Sequence, residues 1–253
     1  MIIAGGVGRF VPWDGGCLFI GRRVGFVPLH AHYAIQIVFG AEPGVRLRPD
    51  DDAPWVAYDG AIIASRQPHA MDASAMSINA VLFVEPETAE GRALVERHLT
   101  DGIVALDGAY RAAAMPIFAA FDRDDPVALA EAARGLVSAL TGGVAPSTVT
   151  DERILRAIRY INQHLASPLT LEDVAREACL SPGRFRHLFV EQTGMALRQY
   201  ILWRRFLHVW ALLGQGASLS AAAHGAGFAD APHLSRTSRR MFGFPPSLMT
   251  VRE

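Results

Sequence analysis

Four side chains in the first third of the sequence have the types and spacing of a ligand-binding site. In HAHYAIQIV, residues 30–38, His30 and His32 stand two apart and Gln36 follows, while His69 lies further along the chain. Alternate residues of a strand share one face, so a single strand here would place residues 30, 32, 34 and 36 on the same side. Three imidazoles and an amide oxygen can bind a divalent ion such as zinc, nickel or iron.

Three interpretations of these residues stay open on the sequence alone. The histidines and Gln36 can hydrogen-bond an organic effector, they can bind a metal ion, or they can be satisfied side chains at the end of a strand. A neutral amide is a weaker ligand for a divalent cation than a carboxylate, which favours the organic effector. Tyr33, Trp55 and Trp13 could line an apolar pocket for it, although core packing is the simpler explanation of each one singly.

Length and composition limit where such a site can be placed. The chain of 253 residues is 51% hydrophobic, enough for one large domain or two ordinary ones. It has no apolar run of about 18 residues, so we expect no transmembrane helix, and MIIAGGVGRF lacks the pattern of a secretory signal. The two cysteines, Cys17 and Cys179, argue against a disulfide framework or a cysteine metal cluster and favour the cytoplasm.

Charge is distributed unevenly along the chain. Residues 1–150 contain 11 Arg and 17 Asp plus Glu, a net charge of −6. Residues 151–253 contain 13 Arg and 8 acidic residues, a net charge of +5. The basic part suggests a polyanionic partner such as nucleic acid, although a solvated surface explains such a charge as well.

The character of the sequence changes twice, which predicts two domains and a linker. Up to about residue 85, short apolar runs alternate with turn residues at the spacing of a β-sandwich or small barrel. Helical patterns follow, and GGVAPSTVT, residues 142–150, has the composition of a linker. We therefore predict an α+β chain with a β-barrel domain and helical segment over residues 1–141 and an all-α domain over residues 151–253.

Two helix-turn-helix patterns follow one another in residues 151–253. In the first, Thr170 and Asp173 form a capping box, and Ser181 begins a second helix that Gly194 ends. The pattern recurs about fifty residues later, with Asp230 as the helix cap. The second helix of each unit exposes hydrogen-bond donors, as reading the DNA major groove requires. These donors are Arg184, Arg186, His187, His233, Arg236, Arg239 and Arg240.

The duplicated unit, its joining helix and GFADAPHLSRTSRRMFGFPPS resemble the DNA-binding domain of the AraC family of bacterial transcription regulators. The resemblance covers about residues 151–250 and implies that the two recognition helices enter successive major grooves. The base-facing positions that it implies are Gly183, Arg186, His187, Ala231, Pro232, His233, Ser235 and Arg236. Gly183, Ala231 and Pro232 offer no hydrogen-bonding side chain. We therefore expect most direct readout from Arg186, His187, His233 and Arg236, and phosphate contacts from Arg184, Arg239 and Arg240.

The first half of the chain is similar to the cupin-like effector barrel that many members of this family have. Gly25, His30-x-His32, Gln36 and Gly40 are similar to the first cupin motif, which usually has Glu at the position of Gln36. Residues 60–69, from a glycine to Pro-His, are similar to the second motif. The resemblance implies that the three histidines and the amide converge inside one barrel. It also implies that the helices between about 87 and 141 mediate dimerisation, although packing on their own barrel explains them equally well.

The sequence therefore predicts a cytoplasmic, ligand-responsive, sequence-specific DNA-binding regulator, with activation as the commoner mode in the family. Its expected partners are double-stranded promoter DNA, a small-molecule effector, RNA polymerase and a second copy of the chain. We expect neither catalysis nor membrane binding, and no cofactor other than the divalent ion considered above. The alternative is a metal-dependent cupin enzyme with a helical accessory domain.

Overall fold

Short apolar runs separated by glycine and aspartate turns form two sheets in the computed structural model, which describes residues 6–100, 102–145 and 149–251. The larger sheet has the spatial order β10 (Ile103–Ala105), β7 (Ala61–Ile63), β4 (Ile35–Gly40), β9 (Ile78–Val84), β2 (Gly16–Arg22), β1 (Gly6–Trp13) and β11 (Met249–Val251). The smaller sheet has the order β3 (Phe26–His30), β8 (His69–Asp72), β5 (Val45–Arg48) and β6 (Val56–Tyr58). Neighbouring strands are antiparallel except β1 and β11, which are parallel.

Alternation along the strands gives the larger sheet two different faces. One face is apolar and packs against the helices α1 (Ala89–His98), α2 (Gly108–Asp122) and α3 (Pro126–Thr141). This face contains Leu18, Ile20, Ile35, Ile37, Phe39, Ile78, Ala80, Leu82 and Val84. Because successive strand residues point to opposite sides, Phe19, Gln36 and Phe83 belong to the other face. The hydrophobic core and the polar cluster therefore lie on opposite sides of one sheet.

The stretch HAHYAIQIV is not one strand, so the strand alternation predicted for residues 30–36 is wrong. β3 ends at His30 in the smaller sheet and β4 begins at Ile35 in the larger sheet, so residues 31–34 cross from one sheet to the other. The crossing is held by the Arg66 backbone N–H, which donates to the His32 carbonyl at 2.7 Å. His30 and Gln36 lie in different sheets because the chain changes sheets between them, a long-range event that a local pattern does not encode.

The chain divides into two compact units. One contains Met1–Pro86, Glu90–Ala145 and Ser235–Glu253, and the other contains Glu87–Ala89 and Pro146–Leu234. The linker predicted over residues 142–150 includes this change of unit, although residues 146–148 lie outside the described residues. The division into domains at residues 141 and 151 stays a prediction.

The second unit is helical and contains the expected capping residues. Its helices are α4 (Glu152–Gln163), α5 (Leu171–Glu177), α6 (Pro182–Thr193), α7 (Leu197–Gly214), α8 (Leu219–Gly225) and the start of α9 (Ala231–Phe242). Thr170 Oγ1 accepts the Asp173 N–H at 3.1 Å before α5, and Ser181 Oγ accepts the Arg184 N–H at 3.4 Å at the start of α6. The predicted α+β class is confirmed. Within the described ranges, every helix is too short or too polar to span a bilayer.

Arg111 on α2 fixes the turns beside the larger sheet, and its replacement should destabilise the first unit. Its guanidinium donates to the carbonyls of Gly40, Ala41 and Asp59 at 3.2, 2.7 and 3.0 Å. Arg111→Ala leaves these carbonyls without that donor and should lower the free energy of unfolding by about 1–3 kcal/mol in urea denaturation. Arg123→Ala is the control, because Arg123 is exposed and directly follows the last residue of α2. This substitution should change the free energy of unfolding by less than about 0.5 kcal/mol. Equal losses would contradict this role for Arg111.

Candidate functional site

Three imidazoles and one amide meet where the two sheets approach each other. His30 ends β3, His69 begins β8, Gln36 lies on β4 and His32 lies in the crossing. The ring centres of His30 and His69 are 4.3 Å apart, those of His32 and His69 5.1 Å, and those of His30 and His32 5.4 Å. One nitrogen from each ring lies within 4.8 Å of the others. His32, Gln36 and His69 are buried and His30 is half-buried.

Hydrogen bonds to the backbone determine which nitrogen of each ring carries the proton. Nδ1 lies 2.8 Å from the Pro28 carbonyl in His30, 2.9 Å from the Ala34 carbonyl in His32, and 2.9 Å from the Gln67 carbonyl in His69. A carbonyl only accepts, so Nδ1 must donate in all three rings. In the neutral rings, Nε2 then has a free lone pair. Anchoring of the other ring nitrogen by a carbonyl is the usual arrangement of histidines that bind metal ions.

Gln36 faces two of these lone pairs. Its Oε1 lies 2.8 Å from Nε2 of His32 and 3.3 Å from Nε2 of His69. All three atoms are acceptors when the rings are neutral, so their contact is repulsive unless a positive charge or a donor lies among them. A divalent ion satisfies all three, and rotating the amide to present its NH₂ group is the alternative. The three histidines could therefore hold a transition-metal ion through Nε2, with Oε1 of Gln36 as a further oxygen ligand.

Burial keeps the imidazoles neutral. Desolvation, reinforced by the charge of His30, lowers the pKa of His32 to about 4. Desolvation also lowers the pKa of His30, and it lowers the pKa of His69 well below its usual value. Lone pairs are thus available for a ligand at neutral pH.

Aromatic side chains form the apolar surroundings of the cluster. The ring of Phe83 meets that of His32 edge-on at 5.1 Å, and Phe19 meets Phe83 in the same way at 5.8 Å. Two of the aromatic residues expected to line the pocket have other contacts. Tyr33 lies under the Arg66 guanidinium, 5.3 Å from its ring centre, and Trp55 lies beside Arg48 at 4.8 Å. Both are half-buried, so their assignment to the effector pocket stays a prediction.

Sequence reasoning missed one neighbour of the cluster, Gly243. A Cβ atom built on Gly243 would lie 2.1 Å from both Cδ2 and Nε2 of His30, so its backbone is in contact with that ring. The adjacent Phe242 meets Phe19 at 5.6 Å and Phe83 at 5.3 Å. These residues directly follow α9, in the part of the chain that belongs to the same unit as the sheets. Gly243 followed by Phe244 looks like an ordinary helix end in the sequence, and no local signal indicates this contact.

The side chains expected to bind DNA are exposed on α6 and α9. Accessible donors on these two helices are Arg184, Arg186, His187, His233, Arg236, Arg239 and Arg240, while Ser235 is half-buried. Asp230 Oδ1 accepts the His233 N–H at 2.5 Å and caps α9. The opposite sides of the helices are buried through Phe185, Phe189 and Leu234. Each helix therefore presents one polar face.

Comparisons with known proteins match the helical part of the chain. A family model described as a helix-turn-helix domain matches residues 174–250. The arabinose operon regulatory protein of Escherichia coli K12 is 32% identical over 99 residues, which are 38% of this chain and 34% of that protein. The multiple antibiotic resistance protein MarA of Salmonella typhimurium LT2 is 31% identical over 88 residues, which are 34% of this chain and 69% of MarA. The matched part spans about a third of the length of the arabinose regulator.

The similarity to solved structures of ToxT extends over most of the chain. ToxT from Vibrio cholerae O395 superimposes with a TM-score of 0.50 at 13% sequence identity, covering 93% of this chain and 96% of ToxT. At this identity, the likeness shows the fold alone.

The buried histidines should make the protein less stable in mild acid. The pKa of His32 is about 4 in the folded chain, whereas an unfolded histidine has a pKa of about 6.5. The unfolded state therefore binds more protons between these values. The contribution of His32 to stability is therefore fully present above about pH 6.5 and falls by about 3 kcal/mol as the pH drops to about 4. Urea unfolding at several pH values would measure this loss. His32→Gln should reduce the slope and His187→Gln, at an exposed position, should not; an unchanged slope in His32→Gln would refute this origin.

Proposed function

This chain belongs to the AraC family of transcription regulators, and we propose from this that it is a ligand-responsive protein that binds specific sequences in double-stranded promoter DNA. The observation that carries the proposal is the pair of helix-turn-helix units whose second helices, α6 and α9, present exposed arginines and histidines. The net charge of +5 over residues 151–253 supports it, because neutralising phosphates provides most of the affinity for DNA.

Within each recognition helix, we propose different roles for the donors. Arg186, His187, His233 and Arg236 contact base edges, and an arginine that pairs with guanine in bidentate fashion discriminates by about 1–3 kcal/mol. Arg184, Arg239 and Arg240 contact phosphates, which adds affinity without sequence preference. Ser235 is half-buried and contributes at most a short contact.

Paired substitutions on α9 separate these roles. Duplexes selected from a random library by the full chain would supply the specific site, and an unrelated duplex the non-specific one. Arg236→Ala should weaken binding to the selected duplex by about 5- to 150-fold and leave non-specific binding nearly unchanged. Arg239→Ala should weaken both and reduce the slope of log affinity against log salt by about one.

Arg123→Ala, far from α9 in the sequence and exposed, should change neither affinity. Equal losses on both duplexes in Arg236→Ala would make Arg236 a phosphate contact instead.

We further propose that the effector acts at the imidazole cluster and that a divalent transition-metal ion is the ligand class that the cluster fits best. Three anchored Nδ1 atoms, three free Nε2 lone pairs and the oxygen of Gln36 support this choice over an organic effector. A bound ion would supply positive charge at the point where the acceptors meet. An organic effector with hydroxyl or N–H donors is the alternative that the same lone pairs allow.

The metal content of the full-length protein, purified without a histidine tag or chelators, decides between these ligands. We expect about one equivalent of metal per chain by elemental analysis, because the described part of the chain has one cluster of three histidines. His69→Ala should lose it because that ring is buried at the centre of the cluster, whereas His187→Ala, on exposed α6, should keep it. Metal-free protein that also fails to bind zinc, nickel or ferrous ions would direct the search to organic effectors.

Two further partners belong to the proposal. A second copy of the chain would let two DNA-binding units read paired half-sites, and the exposed apolar side chains Met115 on α2 and Val127 on α3 support contacts through these helices. RNA polymerase is the partner through which the regulator would activate transcription.

A metal-dependent cupin enzyme with a helical accessory domain is a second candidate, because the imidazole cluster would also suit catalysis. Selection of a specific duplex by the full chain, with affinity that falls steeply with salt, would exclude the helices from a merely accessory role.

A further inference from the structure

The turn that follows α9 lies directly on the imidazole cluster. Gly243 has a φ of +83°, and its backbone leaves no room for a side-chain atom beside Cδ2 and Nε2 of His30. Nε2 is the same atom that the cluster would offer to an ion. The contact therefore joins a ligand atom of the candidate site to the end of a proposed recognition helix.

Aromatic and hydrogen-bond contacts hold this turn in place. Phe242 meets Phe19 and Phe83, and Phe83 meets the ring of His32. Phe244 meets Phe19 at 5.2 Å. The Ser238 hydroxyl on α9 donates to the Phe244 carbonyl at 2.7 Å, which ties the turn to the helix. Residues 235–253 consequently belong to the same compact unit as the sheets, although α9 begins in the other unit.

We propose that the Phe242–Phe244 turn changes position when an ion binds to the imidazole cluster, and that this movement shifts the C-terminal half of α9. That half bears Arg236, Arg239 and Arg240, so a change in its position changes DNA affinity. The inference rests on the proposed metal ligand and on the proposed role of α9 in DNA binding.

Geometry indicates that His30 is the ring that moves. Nitrogen ligands lie about 2.0–2.1 Å from zinc, so two of them are about 3.3 Å apart in a tetrahedral site, whereas the ring nitrogens here are as far as 4.8 Å apart. The cluster must contract to bind an ion. His32 and His69 are buried, and each donates to a backbone carbonyl and contacts Gln36, whereas His30 is less buried and among the described hydrogen bonds has only the one to Pro28.

Movement of His30 changes its contact with Gly243, because ring and backbone are already at the limit of close packing. An ion can shift α9 only if it binds one position of the turn more tightly than the other. The effect is reciprocal. If the ion shifts the equilibrium between two positions of the turn by some factor, then the affinity for the ion differs between those two positions by the same factor.

Amide hydrogen exchange of the full chain, with Co²⁺ as the probe, tests the inference without knowledge of the operator. Co²⁺ binding is followed by its absorption spectrum. Saturating Co²⁺ should change exchange in a peptide covering residues 238–247 by at least about fivefold, the lower end of typical coupling between two sites. His30→Phe keeps a ring of similar size without Nε2, and in this variant Co²⁺ should bind more weakly and leave exchange in that peptide unchanged.

Two glycine-to-alanine substitutions test the reciprocal effect, which is the effect of the turn on the affinity for the ion. Gly243→Ala places a methyl group against Nε2 of His30, whereas a Cβ at Gly143 has no atom of the described residues within 4 Å. Their φ angles are +83° and +80°, so both substitutions place an alanine in the same left-handed region of φ. Gly243→Ala should lower Co²⁺ affinity by at least about fivefold, and Gly143→Ala should leave it unchanged.

The outcomes separate this inference from the proposed function. Co²⁺ binding without a change in exchange at residues 238–247, or equal affinities in the two alanine variants, would overturn the coupling and keep the metal site. Failure of Co²⁺ to bind would overturn the metal site and the coupling together. Neither result affects DNA binding, which the selected duplexes test independently.

Discussion

Hydrogen bonds between three imidazole Nδ1 atoms and backbone carbonyls are the constraint on which the candidate site depends. Each carbonyl belongs to a residue two positions from its histidine, so local backbone shape fixes every ring. Because Nδ1 donates, Nε2 is left as an acceptor, and one nitrogen of each ring lies within 4.8 Å of the others. Without these bonds, each ring could rotate and present either nitrogen to the cluster. Three histidines close in space would then not offer the same set of ligand atoms to an ion.

Burial gives this arrangement its chemical consequence. Water would satisfy the Nε2 lone pairs at a surface, but His32, Gln36 and His69 are almost completely buried. Desolvation keeps the rings neutral, and aromatic rings fill much of the space around them. When Gln36 presents its oxygen, the cluster is a buried group of acceptors without a donor, which is costly, so it favours a ligand that brings positive charge or a hydrogen-bond donor.

The two faces of the larger sheet have different roles. One face forms the hydrophobic core of the unit, and the other bears the candidate site. The helix-facing side carries the apolar residues that stabilise the unit, which leaves the other side free for polar groups. Phe242, at the end of α9, contacts Phe19 and Phe83 on that second side, and all three residues belong to the same compact unit. The candidate site and the end of α9 therefore lie in direct contact within one compact unit.

Local chemistry made the helical part readable from the sequence. Thr170, Ser181 and Asp230 each cap a helix by accepting an N–H three residues later, so the signal and its structural effect lie in the same short stretch. The identity of the four polar residues of the site was equally visible, because their types and spacing are unusual in a strand-rich segment. The α+β class followed from the change in hydrophobic periodicity along the chain.

Only the tertiary structure decided how the four residues come together and which residues lie against them. Residues 31–34 cross between sheets because β3 and β4 pair with different partners, β8 and β9, and strand pairing depends on residues far away in the sequence. The contact between His30 and Gly243 joins positions more than two hundred residues apart, and a glycine at a helix end gives no sign of its neighbour. The sequence by itself determined the kinds of side chain and their local caps, since these depend on nearby residues. Packing determined the convergence of the imidazoles and their contact with α9, since both depend on the whole fold.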